Sequence, residues 1–303
     1  MRIATSQYQA TMNISLQLNQ ERISYVNQQM SSRTRILLPS DDPVDTVRMS
    51  RLHREESDVT QYRANIGALK IRLTKNEAYL GSMVNDMMQG RDLLVWSSDG
   101  GNAPADMAAM VSPLTALRES LLYTANAIDQ EGRYVFSGTQ TGTAPIVYNA
   151  GAPLGSRYSY AGNTNDQTVV VGNGITQVAN GNMLGMEAML NQLDQTIAAL
   201  GAPGVSANDP AVRATLAANL DGFDTALDLV SGKIAVLGGS QNIISTLDEN
   251  HANVSLSNQM ALTDIGQLDY GLAATELSGY TSALEATYKA YAKIGNLSLF
   301  AAL

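Results

Sequence analysis

The sequence predicts a mainly α chain: a long-helix bundle with a terminal antiparallel coiled coil and a small inserted β domain. Three observations carry this. Apolar residues recur in heptads over two long stretches, one in each half of the 303 residues. A segment rich in Gly and Asn, without helical periodicity, lies between them. The helices before that segment find partners only after it, so the two ends of the chain must meet in space. The expected partition is 1–40 with 262–303 as a terminal coiled-coil layer, 41–131 with 183–261 as the bundle, and 132–182 as the β insertion.

The first segment places Met12, Leu16, Asn19, Ile23, Val26 and Met30 at heptad spacing among Gln, Asn and Ser. Its seam is thin and its helix propensity modest, so by itself it is marginal. The chain then breaks at Pro39–Pro43, where Asp41 or Asp42 can cap a new helix with Pro43 in its first turn. That helix carries the strongest rhythm: Val59, Tyr62, Ile66, Leu69, Leu73, Asn76, Leu80, Met83, Met87, Gly90 and Leu94. Gly100–Asn102 ends it, and a further helical stretch runs from Pro104 to about Gln130.

From Gly132 to Gly181 the pattern changes to short β-branched and aromatic runs between turn residues. Arg133–Ser137, Pro145–Tyr148, Arg157–Tyr160 and Thr168–Val171 read as strands. Helical spacing resumes near Met183, breaks over 201–209, and returns at Val212, Leu216, Leu220, Phe223, Leu227 and Val230. A second seam follows at Ile244, Leu247, His251, Val254, Asn258, Ala261, Ile265, Leu268 and Leu272. Past Leu272 the stripe is displaced to Leu277, Tyr280, Leu284, Tyr288, Tyr291 and Ile294, which reads as a stutter or a change of packing partner. A continuous helix from Ser240 to Leu297 would extend about 85 Å at ~1.5 Å per residue, far beyond an ordinary globular helix.

Composition narrows the function classes. There is no cysteine and there are two histidines, which excludes disulfide scaffolds and thiolate chemistry. The net charge of −9 argues against a general nucleic-acid binder. Charge is unevenly spread: 12 bases against 9 acids up to Arg91, and 7 bases against 19 acids thereafter. No apolar run is long enough to insert in a membrane, and the first residues lack the apolar core of a signal peptide. The chain is therefore expected in the cytoplasm or exported without a cleaved signal.

No catalytic, cofactor or metal site is expected. His53 stands in a charged surface stretch beside Glu55 and Glu56, and His251 falls on a seam, where a polar residue fixes register. Gly138–Gly142 and Gly172–Gly174 lack the Lys-Ser/Thr of a phosphate cradle and read as turns. The candidate functional residues are instead the apolar stripes of the two ends: Met12, Leu16, Ile23, Val26 and Met30, with Leu277, Tyr280, Leu284, Tyr288, Tyr291, Ile294, Leu297, Leu299 and Phe300. Left bare, such a stripe is an interaction surface.

Four segments, in order, resemble the flagellin superfamily, and within it the members that sit between hook and filament. They are Met1–Gln7, Arg35–Pro43, Gly132–Thr139 and the tail from Leu268 through Ile294 to Phe300. The tail departs from the family pattern, ending Ala301-Ala302-Leu303 where an aromatic residue is usual next to last. The resemblance implies a non-enzymatic structural subunit of the bacterial flagellum, secreted by type III export, that joins hook to filament through polymerised terminal helices. The partners it implies are a neighbouring hook-associated junction protein, flagellin, an export chaperone on the C-terminal helix, and further copies of itself in an assembled ring. A filament flagellin and a cytoplasmic coiled-coil adaptor are the alternatives. The isolated chain is expected to be a monomer that proteolysis trims to about Asp42 to Ala261, and replacing 138–181 by a short linker is expected to leave the bundle folded.

Overall fold

The computed structural model describes the backbone of residues 2–295, and side chains for 7–293. Seven helices and two hairpins follow one another: α1 (Arg2–Ser32), α2 (Pro43–Ser97), α3 (Pro104–Ala109), α4 (Val111–Ala125), β1 (Ile146–Tyr148), β2 (Tyr158–Tyr160), β3 (Thr168–Gly172), β4 (Ile175–Val178), α5 (Met186–Leu200), α6 (Pro210–Gly266) and α7 (Tyr270–Gly295). The long-helix bundle with a small β region is the expected fold class. The chain divides into two compact units, residues 60–252 and the described parts of 1–59 with 253–303.

The larger unit is built on the α2 seam. Ile66, Leu69, Leu73, Asn76, Leu80, Met83, Met87 and Leu94 are all buried, because heptad spacing keeps one face of the helix turned to its partners. Gly90 continues the seam for a steric reason. A Cβ there would stand 2.4 Å from Leu117 Cδ2 and 2.7 Å from Phe223 Cε1, both on buried side chains. Ion pairs register α2 against α6 on the rim, Arg63 with Asp248 at 2.9 Å and Arg91 with Asp224 at 2.7 Å.

The stretch expected as one helix from Pro104 is two, divided at Met110. The division lets Pro113, which has no N–H to donate, fall in the first turn of α4. Helix stops at Ala125, before the expected Gln130, and Asn126 turns its side chain to the β region, donating to the Ile146 carbonyl and accepting from its N–H, each at 2.9 Å.

The two hairpins are separate. In β1–β2, Ile146 faces Tyr160 and Tyr148 faces Tyr158; in β3–β4, Thr168 faces Val178, with an irregularity between Val170 and Gly172. Arg133–Ser137 is not a strand: it forms isolated bridges, Ile128 to Tyr134 and Ser137 to Asn182, and scattered backbone bonds such as Tyr134 N–H to the Thr141 carbonyl at 2.8 Å. The Asp129 carboxylate accepts from the N–H groups of Glu131 and Arg133, folding this stretch into a turn. Phe136, Ile146, Tyr158, Val171 and Ala179 are buried in the same cluster as the seam of α2 and the inner faces of α5 and α6. Asp194 on α5 ties the layers, accepting from Arg118 on α4 at 2.6 Å and from Arg157 before β2 at 3.2 Å.

The helix expected to run unbroken from Ser240 divides at Gln267–Asp269. Asp269 Oδ1 accepts from the N–H groups of Gly271 (2.8 Å) and Leu272 (3.1 Å), capping α7. The displaced stripe thus belongs to a new helix rather than to a stutter. Within α6, Ser255 and Asn258 are buried while Val254 is exposed. A 3.6-residue helix drifts from a strict heptad, and here the drift moves the inner line by one residue.

Candidate assembly interface

The smaller unit owes its shape to two chain breaks that meet. Arg33 leaves α1 at φ 61°, in the left-handed region that ends helices. Its carbonyl accepts from the Leu268 N–H at 3.4 Å, Arg35 N–H donates to the Gly266 carbonyl at 2.9 Å, and Thr34 bridges Gln267. Arg35 Nε also donates to the Ile265 carbonyl at 3.2 Å.

The carboxylates of the break are structural, as their Pro-flanked position suggests. Asp42 Oδ1 accepts from the Asp45 N–H at 3.0 Å and starts α2, and its Oδ2 takes Arg35 Nη1 at 3.1 Å. Asp41 Oδ2 accepts from the N–H groups of Leu37 (3.0 Å) and Leu38 (2.7 Å). Both carboxyls are held below the usual range, Asp41 first by the Tyr25 hydroxyl and then by these N–H groups, Asp42 first by the Asp45 N–H and then by Arg35. The Tyr25 hydroxyl is pushed up to about 12, by burial and then by Asp41.

Beyond the breaks, α1 and α7 pack side by side, so the two ends of the chain do meet. Their small core is Val26, Leu268 and Ala273, with Met30, Leu277 and Tyr280 against it. The Arg22 guanidinium lies over the Tyr280 ring, 5.5 Å from its centroid, and the Tyr270 hydroxyl donates to the Met30 carbonyl at 3.0 Å.

Of the sequence-derived residues, Val26 is buried and Met12, Leu16, Ile23, Met30, Leu277, Tyr280 and Leu284 are half-buried in or beside this pair. Tyr288 and Tyr291 remain exposed. The Ile294 side chain and Leu297, Leu299 and Phe300 lie outside the described residues. A second set is more open: Ile14 at 64% and Leu18 at 46% exposed, neither read from the sequence, and Leu272, expected on the second seam, at 60%. The four-residue step from Ile14 to Leu18 was the only signal for those two. Paired helices this slender cannot enclose both apolar lines, so one is left exposed.

Comparison with known proteins agrees with this geometry. Residues 3–141 match the bacterial flagellin N-terminal helical region. The chain is 28% identical to flagellar hook-associated protein 3 of Escherichia coli and 26% identical to that of Salmonella typhimurium, over 99% of both chains in each case. The solved structure of a Vibrio parahaemolyticus chain described as a flagellar hook-associated protein is 30% identical, with a TM-score of 0.68. That match covers 75% of this chain and 100% of the Vibrio chain. With α1 and α7 paired and likeness along its whole length, the chain belongs to the flagellar hook-associated protein 3 family of the flagellin superfamily.

Proposed function

We propose that this chain is a structural subunit of the bacterial flagellum that joins hook to filament through its terminal helices. The observation that carries this reading is the α1–α7 pair, held together at one end by the 33–35 and 266–268 backbone and bearing exposed Ile14, Leu18, Leu272, Tyr288 and Tyr291. A pair that leaves so much apolar surface bare gains from neighbours what it cannot supply itself. In this reading 1–40 with 262–303 form the inner layer, 41–131 with 183–261 the surrounding bundle, and 132–182 the outward module. The chain is exported unfolded at its ends, with a chaperone laid along the C-terminal helix, where Leu284, Tyr288 and Tyr291 act as apolar anchors in a partner groove. Its neighbours are another hook-associated protein, flagellin and copies of itself, and its role is mechanical rather than catalytic.

The experiment is addition of purified protein to isolated hooks, alone, after another hook-associated subunit, and with flagellin. Addition at the hook tip in one of these conditions is expected, and none in all three would refute the reading. Leu284→Asp is expected to weaken chaperone binding and hook addition together while the thermal unfolding of the bundle stays in place. Loss of bundle stability with intact chaperone affinity would make the stripe ordinary packing.

A further inference from the structure

A cleft of about 250 Å³ lies between the outer face of α2 and the 129–135 turn, and the assembly reading above makes no use of it. Ala68, Ile71, Arg72, Lys75 and Tyr79 line it at three- and four-residue spacing, one stripe of the helix that flanks the seam. Ile71 is 67% exposed there, a large apolar residue beside cations.

Arg72 spends one N–H on the neutral Gln167 Oε1 at 2.9 Å, and neither it nor Lys75 joins an ion pair among the described residues. Asp129 and Glu131 also line the cleft, but both pair with Arg133. Burial, and then the charge of Arg133, hold the Arg72 guanidinium below its ordinary pKa, against the opposing pull of Asp129 and Glu131. Asn76 supplies a separate sign. It lines the cleft, is 2% exposed, and its Nδ2 is buried without an acceptor. Buried donors are almost always paired, so this one is an unmet donor in the wall between this cleft and the neighbouring one that Asn76 also lines.

We propose that this cleft is a carboxylate socket in which one copy of the chain receives an Asp or Glu side chain of the next copy, with Arg72 and Lys75 as charged donors and Asn76 as the neutral one. The inference rests on the reading of the chain as an assembling subunit. Charge chooses the occupant: between Asp58 and Glu77 there are four bases, Arg63, Lys70, Arg72 and Lys75, and no acid, in a chain of net charge −9. From Asp92 onward acids outnumber bases 19 to 7, so a second copy offers carboxylates over most of its length. Ala68 and Ile71 beside the cations suit an amphipathic helix face rather than a free ion. Socket and acid are different patches, so the contact runs head to tail and propagates from copy to copy, as a ring or helical layer requires.

The test uses full-length protein added to hooks, a mixture of ¹⁴N and ¹⁵N copies, and a carbodiimide, which joins an amine to a carboxylate only in contact. A mixed-isotope peptide pair containing Lys75 is expected in the assembled layer and not in free monomer. Lys75→Glu, at an exposed position, is expected to reduce addition about tenfold with an unchanged melting temperature, while Lys75→Arg retains it. Full addition by Lys75→Glu would overturn the socket. So would a missing mixed pair, or a Lys75 product formed with a hook or filament protein instead. Failure of the wild-type chain to add at all would instead overturn the assembly reading, which separates the two.

Discussion

Asp42 shows how one side chain can set the direction of a chain. One oxygen starts α2 through the Asp45 N–H, and the other holds Arg35, whose own backbone is bonded to Gly266. The carboxyls of Asp41 and Asp42 are both held low, so their contribution is complete above the ordinary carboxylate pKa of about 3.9 and is lost as pH falls through their lower folded values. The N–H groups of Leu37, Leu38 and Asp45 are therefore expected to keep constant hydrogen-exchange protection from pH 7 to about 5 and to lose it below about 4. Protection unchanged down to about pH 2 would mean that these carboxylates do not hold the break. Asp42→Asn should keep the cap, since Asn caps well, and lose the part of the pH response that comes from Arg35. The cap was legible in the sequence because Asp before Pro is a local signal. The Arg35 partnership was not, because it depends on where Gly266 ends up.

Two glycines on long helices make opposite demands at the scale of the element. Gly90 sits where any Cβ would meet Leu117 and Phe223, whereas around Gly239 on α6 a Cβ would meet nothing within 4 Å. Gly239→Ala should raise stability by up to about 1 kcal/mol through helix propensity alone. Gly90→Ala gains the same propensity but overpacks a closed core by about 1–3 kcal/mol, so the net effect should be a loss. Thermal unfolding of the two variants should shift in opposite directions, and a stabilised Gly90→Ala would show that the core there is loose. The same contrast explains what the heptads could reveal. The α2 seam was legible because its inner line stays on one face for its whole length. The α6 line was legible at Ile244 and again at Asn258, but between them Ser255 is buried in place of the expected Val254, a drift that only the packed helix displays. The candidate interface was half legible for a similar reason: Met12, Leu16 and Ile23 or Ile14 and Leu18 could each have been the inner line, and only the position of α7 decides. The break at Gln267–Asp269 was hidden by a continuous apolar rhythm, since Asp269 looks like any seam-side acid until its oxygen is seen on the Gly271 and Leu272 N–H groups.

At the scale of the whole molecule, the chain places a β segment between the halves of a helical bundle, and the sequence suggests a module on a loop tip. The larger unit is more unified than that. Ile146, Tyr158, Val171 and Ala179 are buried against the helices, and polar contacts reinforce them: Asn65 donates to the Val170 carbonyl at 2.8 Å, Asn191 donates to the Tyr158 carbonyl and accepts from its N–H, and His251 Nε2 meets the Val171 carbonyl at 2.8 Å. His251, a polar residue on a seam, thus fixes register with the β segment as well as stacking on Tyr62, 5.5 Å between centroids. Short turn-rich strands gave no sign of this, because which of their residues are buried depends on helices 20 to 105 residues away. Replacing 138–181 by a Gly/Ser linker would bare the helix surface that these side chains cover. At about 1.5–3 kcal/mol for each large apolar side chain, the loss from Ile146, Tyr158 and Val171 is roughly 5 kcal/mol or more, against a domain stability of about 5–15 kcal/mol. The expected result is a melting temperature lower by about 10–20 °C, with helical circular dichroism retained at low temperature and lost early on heating. A shift of less than about 4 °C would mean that the bundle closes over the gap, restoring the separable module that the sequence suggests. Val171→Ala gives an independent reading: buried at the level of His251, it should cost about 1–3 kcal/mol if the β segment is part of the core, and almost nothing if the segment is an appendage.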